Sequence, residues 1–174
     1  ITAEMILKEI GFSRSGQGTT GAGLVALPEI LAVENITNSG MLLIDGSGLS
    51  PENQVTCKVL NSVLKNESTK DVFKNALPLA GVEGVVADQF IGTAFEGNLN
   101  AAFSQEENHM SFAGYFTTET GTEITITFIS NPENESETAD KDFSEVLALL
   151  SDAISEYTGG QPLDGLGPLL ATEE

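Results

Sequence analysis

Basic residues are scarce in this sequence, which has seven Lys and Arg against 26 Asp and Glu among 174 residues, a formal net charge of -19. A surface of this charge repels phosphate groups, which excludes nucleic acid and anionic lipid headgroups as favoured partners. There is no Trp, and Cys57 is the single cysteine. One cysteine excludes an internal disulfide and any zinc site that needs several cysteines, so we interpret Cys57 as a buried or idle thiol.

Long apolar runs are also missing. The longest mainly apolar stretches fall far short of the roughly 20 residues that a membrane-spanning helix needs, so no membrane span is predicted. Residues 1–4 lack the basic and apolar regions of a secretory signal, and the chain starts without Met in a pattern typical of a helix. We therefore expect a fragment or a processed product. The apolar content of 40% fits a globular protein with its own core.

The first half of the chain has the periodicity of helices, with apolar residues three and four apart. Ser50 followed by Pro51 is a strong helix-start signal, because a serine oxygen accepts a backbone N–H and the proline φ is preset. The predicted helices cover residues 2–10, about 20–33 after a Gly/Ser-rich loop at 11–18, 51–65, 70–75 and a short stretch at 82–90. A brief apolar run at 41–44 is predicted to be extended and to end in a sharp turn.

The second half changes to alternating apolar and polar residues, which predicts strands at about 98–104, 110–118 and 123–130. An acidic segment at 132–142 precedes an amphipathic helix with its apolar stripe on one side, and Gly159-Gly160 ends that helix. The predicted organisation is mainly helical over 1–96, strands and a closing helix over 97–158, and an extended tail over 159–174. The stripe consists of Phe143, Val146, Leu147, Leu150, Ile154 and Tyr157.

Several weaker patterns are interpreted as structural. Residues 16–21 match G-x-G-x-x-G, but no strand precedes them, so we expect a tight turn that leads into a helix and predict no cofactor. His109 is a conceivable general base, yet a solvated turn position is the favoured interpretation. The acidic segment lacks the spacing of a calcium loop, so no metal is predicted. Three glycosylation sequons, which begin at Asn35, Asn66 and Asn134, are patterns short enough to recur by chance.

One segment carries a more specific pattern. Leu43-Ile44-Asp45-Gly46-Ser47-Gly48-Leu49-Ser50-Pro51-Glu52-Asn53-Gln54-Val55 resembles the V-D-G-S-G-L-S-x-x-N-x-V stretch of the class C penicillin-binding proteins, the serine D-alanyl-D-alanine carboxypeptidase/endopeptidases of peptidoglycan. Four further stretches resemble the same family in the same order. They begin at Thr2, Gly18, Leu77 (L-P-L-A-G-V-E-G) and Phe112 (F-A-G-Y-F-T-T).

The resemblance implies an α+β fold, the C-terminal half of the penicillin-binding-protein and β-lactamase type, with helices, three antiparallel strands and a closing helix. It implies family-motif positions at Asp45, Gly46, Ser47, Gly48, Ser50 and Asn53. Family chemistry rests on a Ser-x-x-Lys nucleophile motif, a Ser-x-Asn motif and a Lys-Thr-Gly strand that binds the terminal carboxylate. We expect the first two motifs upstream of residue 1. Ser62-Val63-Leu64-Lys65 lies outside the family order and is interpreted as a chance match.

The third motif falls within the chain. An ungapped count back from Ala113-Gly114-Tyr115 puts the family's Lys-Thr-Gly on Ala102, Phe103 and Ser104, and the alternative position, 95–97, has no lysine either. No Lys or Arg occurs between Lys74 and Lys141. A substrate carboxylate therefore loses its charge-assisted partner, and we predict no catalytic residue in this chain.

Two hypotheses follow for function. In one, the chain is part of a D-Ala-D-Ala carboxypeptidase that is completed by an N-terminal half. In the other, which the residues Ala102, Phe103 and Ser104 favour, it belongs to a homologue that has kept the scaffold as a binding module and lost hydrolysis. The resemblance implies a location outside the cytoplasm, in the periplasm or cell envelope, and a peptidoglycan stem peptide as partner if any activity remains. The open edge of the last strand also predicts self-association or pairing with the N-terminal half.

Overall fold

The computed structural model describes residues 2–66, 69–106, 109–131 and 143–155. Its helices are α1 (Thr2–Ser15), α2 (Thr20–Val33), α3 (Cys57–Leu64), α4 (Lys70–Ala76) and α5 (Phe143–Ser155). Its strands are β1 (Leu99–Glu106), β2 (His109–Thr117) and β3 (Glu123–Ser130), and a short 3-10 helix covers Gly84–Val86. The chain forms two compact units, 1–71 and 72–174. No helix in the described part of the chain is long and apolar enough to cross a bilayer.

In the first unit, α1 and α2 pack closely because glycines lie where their backbones meet. A Cβ on Gly23 would stand 2.1 Å from the carbonyl oxygen of Leu7, and a Cβ on Gly11 would stand 2.6 Å from the nitrogen of Gly23. The predicted loop at 11–18 is therefore wrong in its first half. Helix α1 continues to Ser15, and Gly11 lies within it because a glycine is needed for the close contact with α2. The predicted start of α2 is confirmed, because Thr19 Oγ1 accepts the N–H of Ala22.

The predicted helix at 51–65 is shorter than expected. It begins at Cys57, and Thr56, not Ser50, caps it by accepting the N–H of Val59. The N–H of Ser50 donates instead to Asp45. Gln54 pairs with Leu42 in an isolated antiparallel bridge, which places the apolar run at 41–44 in extended backbone as predicted. Contacts within residues 42–54, from Ser50 to Asp45 and from Gln54 to Leu42, therefore outweigh the helix-start signal of Ser50-Pro51.

The second unit contains an antiparallel sheet of three strands in the order β1-β2-β3, as predicted. The strand bounds agree with the sequence prediction to within two residues. His109 is a correction: it begins β2 and pairs with Glu106 of β1 instead of lying in the turn. The two faces of the sheet differ. One face belongs to the apolar core, and the other carries small and polar residues such as Ala102, Ser104 and Ser111 together with the buried Tyr115.

An aromatic cluster forms much of the core of this unit. Phe90 contacts Phe95, Phe103 and Phe112 edge to face, with ring centroids 5.3 to 5.7 Å apart. Phe90 has a φ of 65°, and Gly84 also has a positive φ. The helix predicted at 82–90 is therefore wrong apart from the turn at Gly84–Val86, because left-handed residues interrupt helical hydrogen bonding.

The closing helix α5 packs on the core face through Leu147, Leu150 and Ile154, as predicted. Val146 is a correction, since 44% of its surface is exposed, whereas Ser151 is fully buried. The hydroxyl of Ser151 accepts the N–H of Ala94, which makes a polar residue tolerable there. The side chain of Phe143, Tyr157, the acidic segment, the tail at 159–174 and the sequon at Asn134 lie outside the described residues, as does most of the sequon at Asn66.

Candidate functional site

The three residues that the ungapped count assigns to the family's Lys-Thr-Gly motif lie in β1, directly beside β2. Ala102 pairs with Ala113, Phe103 with Phe112, and Ser104 with Ser111. Because side chains alternate along a strand, Ala102 and Ser104 share one face and Phe103 lies on the other. Ala102 and Ser104 are exposed, whereas Phe103 is half-buried against the core. Phe103, the residue that the ungapped count aligns with the family's threonine, is thus an aromatic ring packed against the core.

In the described part of this unit, Lys74 lies too far from Ala102 to replace the lysine. Lys74 pairs with Glu123. Glu123 lies four residues along β3 from Thr127, which is aligned with Ala113 and Ala102. Four residues of strand correspond to about 13 Å. Lys74 is therefore bound to a carboxylate at the other end of the sheet.

His109 is two residues before Ser111 and four before Ala113, so the three side chains lie on one face of β2. Ser111 and Ala113 pair with Ser104 and Ala102, so His109 shares their face. It is exposed. Four residues of β2 separate it from Ala113, the partner of Ala102, which again corresponds to about 13 Å along the strand. The imidazole therefore does not occupy the place of the family's lysine.

The outer edge of β1 is paired over its first half. The N–H of Ala80 donates to the carbonyl of Leu99, and the N–H of Ala101 donates to the carbonyl of Pro78. Leu99 and Ala101 thus point their backbone groups away from β2, and alternation gives Phe103 and Gln105 the same orientation. Within the described ranges of the chain, no residue pairs with the outward N–H and C=O groups of Phe103 and Gln105.

The family-motif loop of the first unit is held together by two side chains of its own. Asp45 accepts the N–H groups of Gly48 and Ser50, both at 2.7 Å, and the side-chain amide of Asn53 at 2.9 Å. The Asn53 side-chain oxygen accepts the N–H of Ile44 at 2.8 Å. The hydrogen bond from Asn53, followed by those from the backbone, lowers the pKa of Asp45. The structure therefore brings the predicted loop residues together.

Glu4 of α1 is a member of this loop network that sequence reasoning missed. Its Oε1 accepts the N–H of Gly46 at 2.7 Å and the N–H of Ser47 at 2.9 Å. These backbone hydrogen bonds lower the pKa of Glu4. A Cβ on Gly46 would stand 2.9 Å from the carbonyl oxygen of Ala3, so glycine permits the approach of α1. The only signal in the sequence was the position of Glu4 inside the family stretch that begins at Thr2.

The structure places the remaining sequence motifs in helices and connections. Ser62 lies within α3, and its hydroxyl donates to the carbonyls of Lys58 and Val59, so it does not form a nucleophile motif with Lys65. The glycine-rich residues 16–21 connect α1 and α2. In the ranges that the structure describes, no group of three or more His, Cys, Asp or Glu side chains is placed to hold a metal ion. Cys57 is exposed, so the buried-thiol interpretation is wrong.

Comparisons with known proteins identify the family and the fold. The model of the D-Ala-D-Ala carboxypeptidase 3 (S13) family matches residues 1–153. The D-alanyl-D-alanine carboxypeptidase of an Actinomadura species is 31% identical over 171 residues, which are 94% of this chain and 31% of that protein. Carboxypeptidase DacB of Mycolicibacterium smegmatis is 30% identical over 144 residues, 75% of this chain and 30% of that protein. The chain spans about a third of the length of these curated relatives.

Solved structures give the same result for the fold. A crystal structure of penicillin binding protein 4 from Haemophilus influenzae, in complex with a β-lactam, matches with a TM-score of 0.74 and 26% identity. The match covers 89% of this chain and 38% of that chain. A predatory peptidoglycan endopeptidase from Bdellovibrio bacteriovorus shares the fold, with a TM-score of 0.59 and 18% identity. The α+β, penicillin-binding-protein-like fold predicted from the sequence is therefore confirmed.

Proposed function

Because the chain belongs to the D-Ala-D-Ala carboxypeptidase 3 (S13) family, we propose that it contributes to a peptidoglycan-directed protein that has lost the carboxylate-binding lysine of its relatives. Hydrolysis of peptides ending in D-Ala-D-Ala is then weak or absent. The observation that carries this proposal is Ala102, an exposed methyl group at the position of the lysine.

The size of the loss supports a change in function. A hydrogen bond to a charged group contributes about 1.5 to 3 kcal/mol, so its removal weakens binding by roughly tenfold or more. Lys74 and His109 each lie about 13 Å or more along the sheet, so neither compensates. The net charge of -19 adds a general repulsion of anionic peptides.

A nucleophile supplied from outside this chain would not by itself restore the carboxylate-binding charge. A partner segment that carries Ser-x-x-Lys and Ser-x-Asn would supply a nucleophile. Strand β1 would still offer no cation to bind the substrate carboxylate. The competing hypothesis, an active carboxypeptidase completed by an N-terminal half, requires a cation from another part of the protein. The family resemblance supports a location outside the cytoplasm and a stem peptide as ligand. Self-association through β3 stays a prediction.

The test is acylation of the full-length protein by a fluorescent penicillin, together with release of D-Ala from a pentapeptide. We expect neither covalent labelling nor release above background. The comparison is the triple variant Ala102→Lys/Phe103→Thr/Ser104→Gly, which restores the family motif. Labelling of the unmodified protein at a mapped serine, at the rate of the restored variant, would overturn the proposal.

A further inference from the structure

The outer edge of β1 offers hydrogen bonds to an extended chain. Segment 78–80 already uses the first half of this edge, because Leu79 forms an antiparallel bridge with Asn100 and two backbone hydrogen bonds flank it. Helix α4 ends at Ala76, so the chain reaches the edge only from that point onward. Beyond Ala101, the N–H and C=O groups of Phe103 and Gln105 continue the same row without a partner among the described residues. An exposed row of this kind is the template to which a peptide adds as a further strand.

On the face of the sheet beside this edge, the motif positions and their cross-strand neighbours are uncharged, and the acidic residue Glu106 follows two positions after Ser104 in the register. Ala102 and Ser104 of β1 lie next to Ala113 and Ser111 of β2, with Thr127 and Ile129 of β3 beyond them. These side chains offer methyl groups and hydroxyls, and a hydroxyl both donates and accepts hydrogen bonds. Among the residues that the structure describes, this face therefore offers hydroxyl partners for an uncharged polar group and no cation for a carboxylate.

From this juxtaposition we infer that the edge at Phe103–Gln105 binds an extended peptide whose recognised end is uncharged, such as a carboxamide. The inference rests on the proposed function, since it specifies the ligand class of the same strand. The ligand's backbone pairs with Phe103 and Gln105, and its uncharged end lies beside the exposed residues Ala102 and Ser104 of β1. A free carboxylate that binds there loses hydrating water, and no cation among the described residues offsets the free-energy cost of that loss.

The first experiment compares two peptides that differ only in their end group. The full-length protein is titrated with a fluorescent pentapeptide that ends in D-Ala-D-Ala, as the free acid and as the carboxamide, and binding is followed by anisotropy in about 150 mM salt. We expect the carboxamide to bind at least several-fold more tightly. The variant Ala102→Lys should reverse the preference and favour the acid by roughly tenfold. Preference of the unmodified protein for the acid, or binding of neither peptide, would overturn the inference.

The second experiment tests the strand edge through Gln105. Its N–H points away from β2, so Gln105→Pro removes an edge donor and leaves the ladder between β1 and β2 intact. Gln105→Ala keeps the N–H and is the matched control. We expect Gln105→Pro to lose at least tenfold in carboxamide binding, Gln105→Ala to bind as the unmodified protein does, and the circular dichroism of all three proteins to agree. Equal binding by both folded variants, or unfolding by Gln105→Pro, would count against an edge that is free to accept a ligand.

The two proposals fail in different ways. If the unmodified protein is acylated and releases D-Ala at the rate of the motif-restored variant, the proposed loss of hydrolysis is refuted. This conclusion does not depend on how tightly the carboxamide binds. If the protein does not hydrolyse the peptide but binds the acid more tightly than the carboxamide, only the inference about the ligand is refuted. The same holds if Gln105→Pro binds the carboxamide as tightly as Gln105→Ala does. The assays therefore separate loss of catalysis from a change of ligand.

Discussion

At the scale of single residues, the exchange at Phe103 is more than the loss of a polar group. Its ring lies edge to face against Phe90, with centroids 5.6 Å apart, on the core side of β1. Phe90 itself has a left-handed backbone, a conformation that costs a non-glycine residue free energy and persists where packing enforces it. The ring of Phe103 therefore stabilises Phe90 in its left-handed backbone conformation, which is a structural role.

Phe103→Thr should accordingly destabilise the protein. The ring is half-buried, so we expect a loss of about 1 to 2 kcal/mol in the free energy of unfolding, below the cost of emptying a fully buried phenylalanine site. Ala102→Ser, on the opposite, exposed face of the same strand, is the control and should change stability by less than about 0.5 kcal/mol. Urea denaturation of both variants measures the difference. Equal stability of the two variants would mean that the ring contact with Phe90 contributes nothing.

At the scale of elements, the sequence predicted best where the signal is local. The alternation in residues 98–130 identified all three strands, and the ungapped register that put Ala102 at the lysine position depends on the short distance to Ala113. The start of α3 and the length of α1 were wrong for the opposite reason. Gln54 pairs with Leu42, and Gly11 lies against Gly23 of α2, and both contacts join residues twelve positions apart in the sequence. Glu4 was missed because 42 residues separate it from Gly46.

The contact between α1 and the motif loop predicts a pH dependence. Hydrogen bonds from Gly46 and Ser47 lower the pKa of Glu4 in the folded protein, so the folded state binds this proton less readily than the unfolded chain. The stabilisation is fully present above the unfolded pKa of about 4.5. It is lost as the pH falls through the lower, folded pKa. Asp45, whose pKa is also lowered, adds a contribution of the same sign.

Glu4→Gln should therefore destabilise the protein at pH 7 and reduce the fall in stability on acidification. The two proteins should converge below the folded pKa, where Glu4 is protonated in both states of the unmodified chain. Thermal unfolding midpoints between pH 7 and pH 3 measure this. Glu9→Gln, an exposed change on the same helix, is the matched control and should leave the slope unchanged. Parallel curves for Glu4→Gln and the unmodified protein would show that the loop does not depend on the Glu4 charge.

At the scale of the whole molecule, the charge of -19 acts on both compact units, one of which contains the motif loop and the other β1. Like charges repel more strongly in the folded state, because folding brings them closer together. The Debye length falls from about 30 Å at 0.01 M salt to about 3 Å at 1 M, so added salt screens most of this repulsion. The protein should therefore be most stable at high ionic strength.

We expect the thermal midpoint to rise steadily between about 0.01 M and 1 M sodium chloride, because screening removes repulsion that opposes folding. The control is a variant with four exposed acids changed to amides, Glu9→Gln, Glu29→Gln, Asp88→Asn and Asp152→Asn, which changes the net charge from -19 to -15. Its midpoint should be higher at low salt and should rise less as salt is added. If both proteins gained equally, the effect would come from salt acting on apolar surface and not from charge repulsion. A midpoint that falls with salt would instead mean that attractive pairs such as Lys74 with Glu123 outweigh the excess of carboxylates.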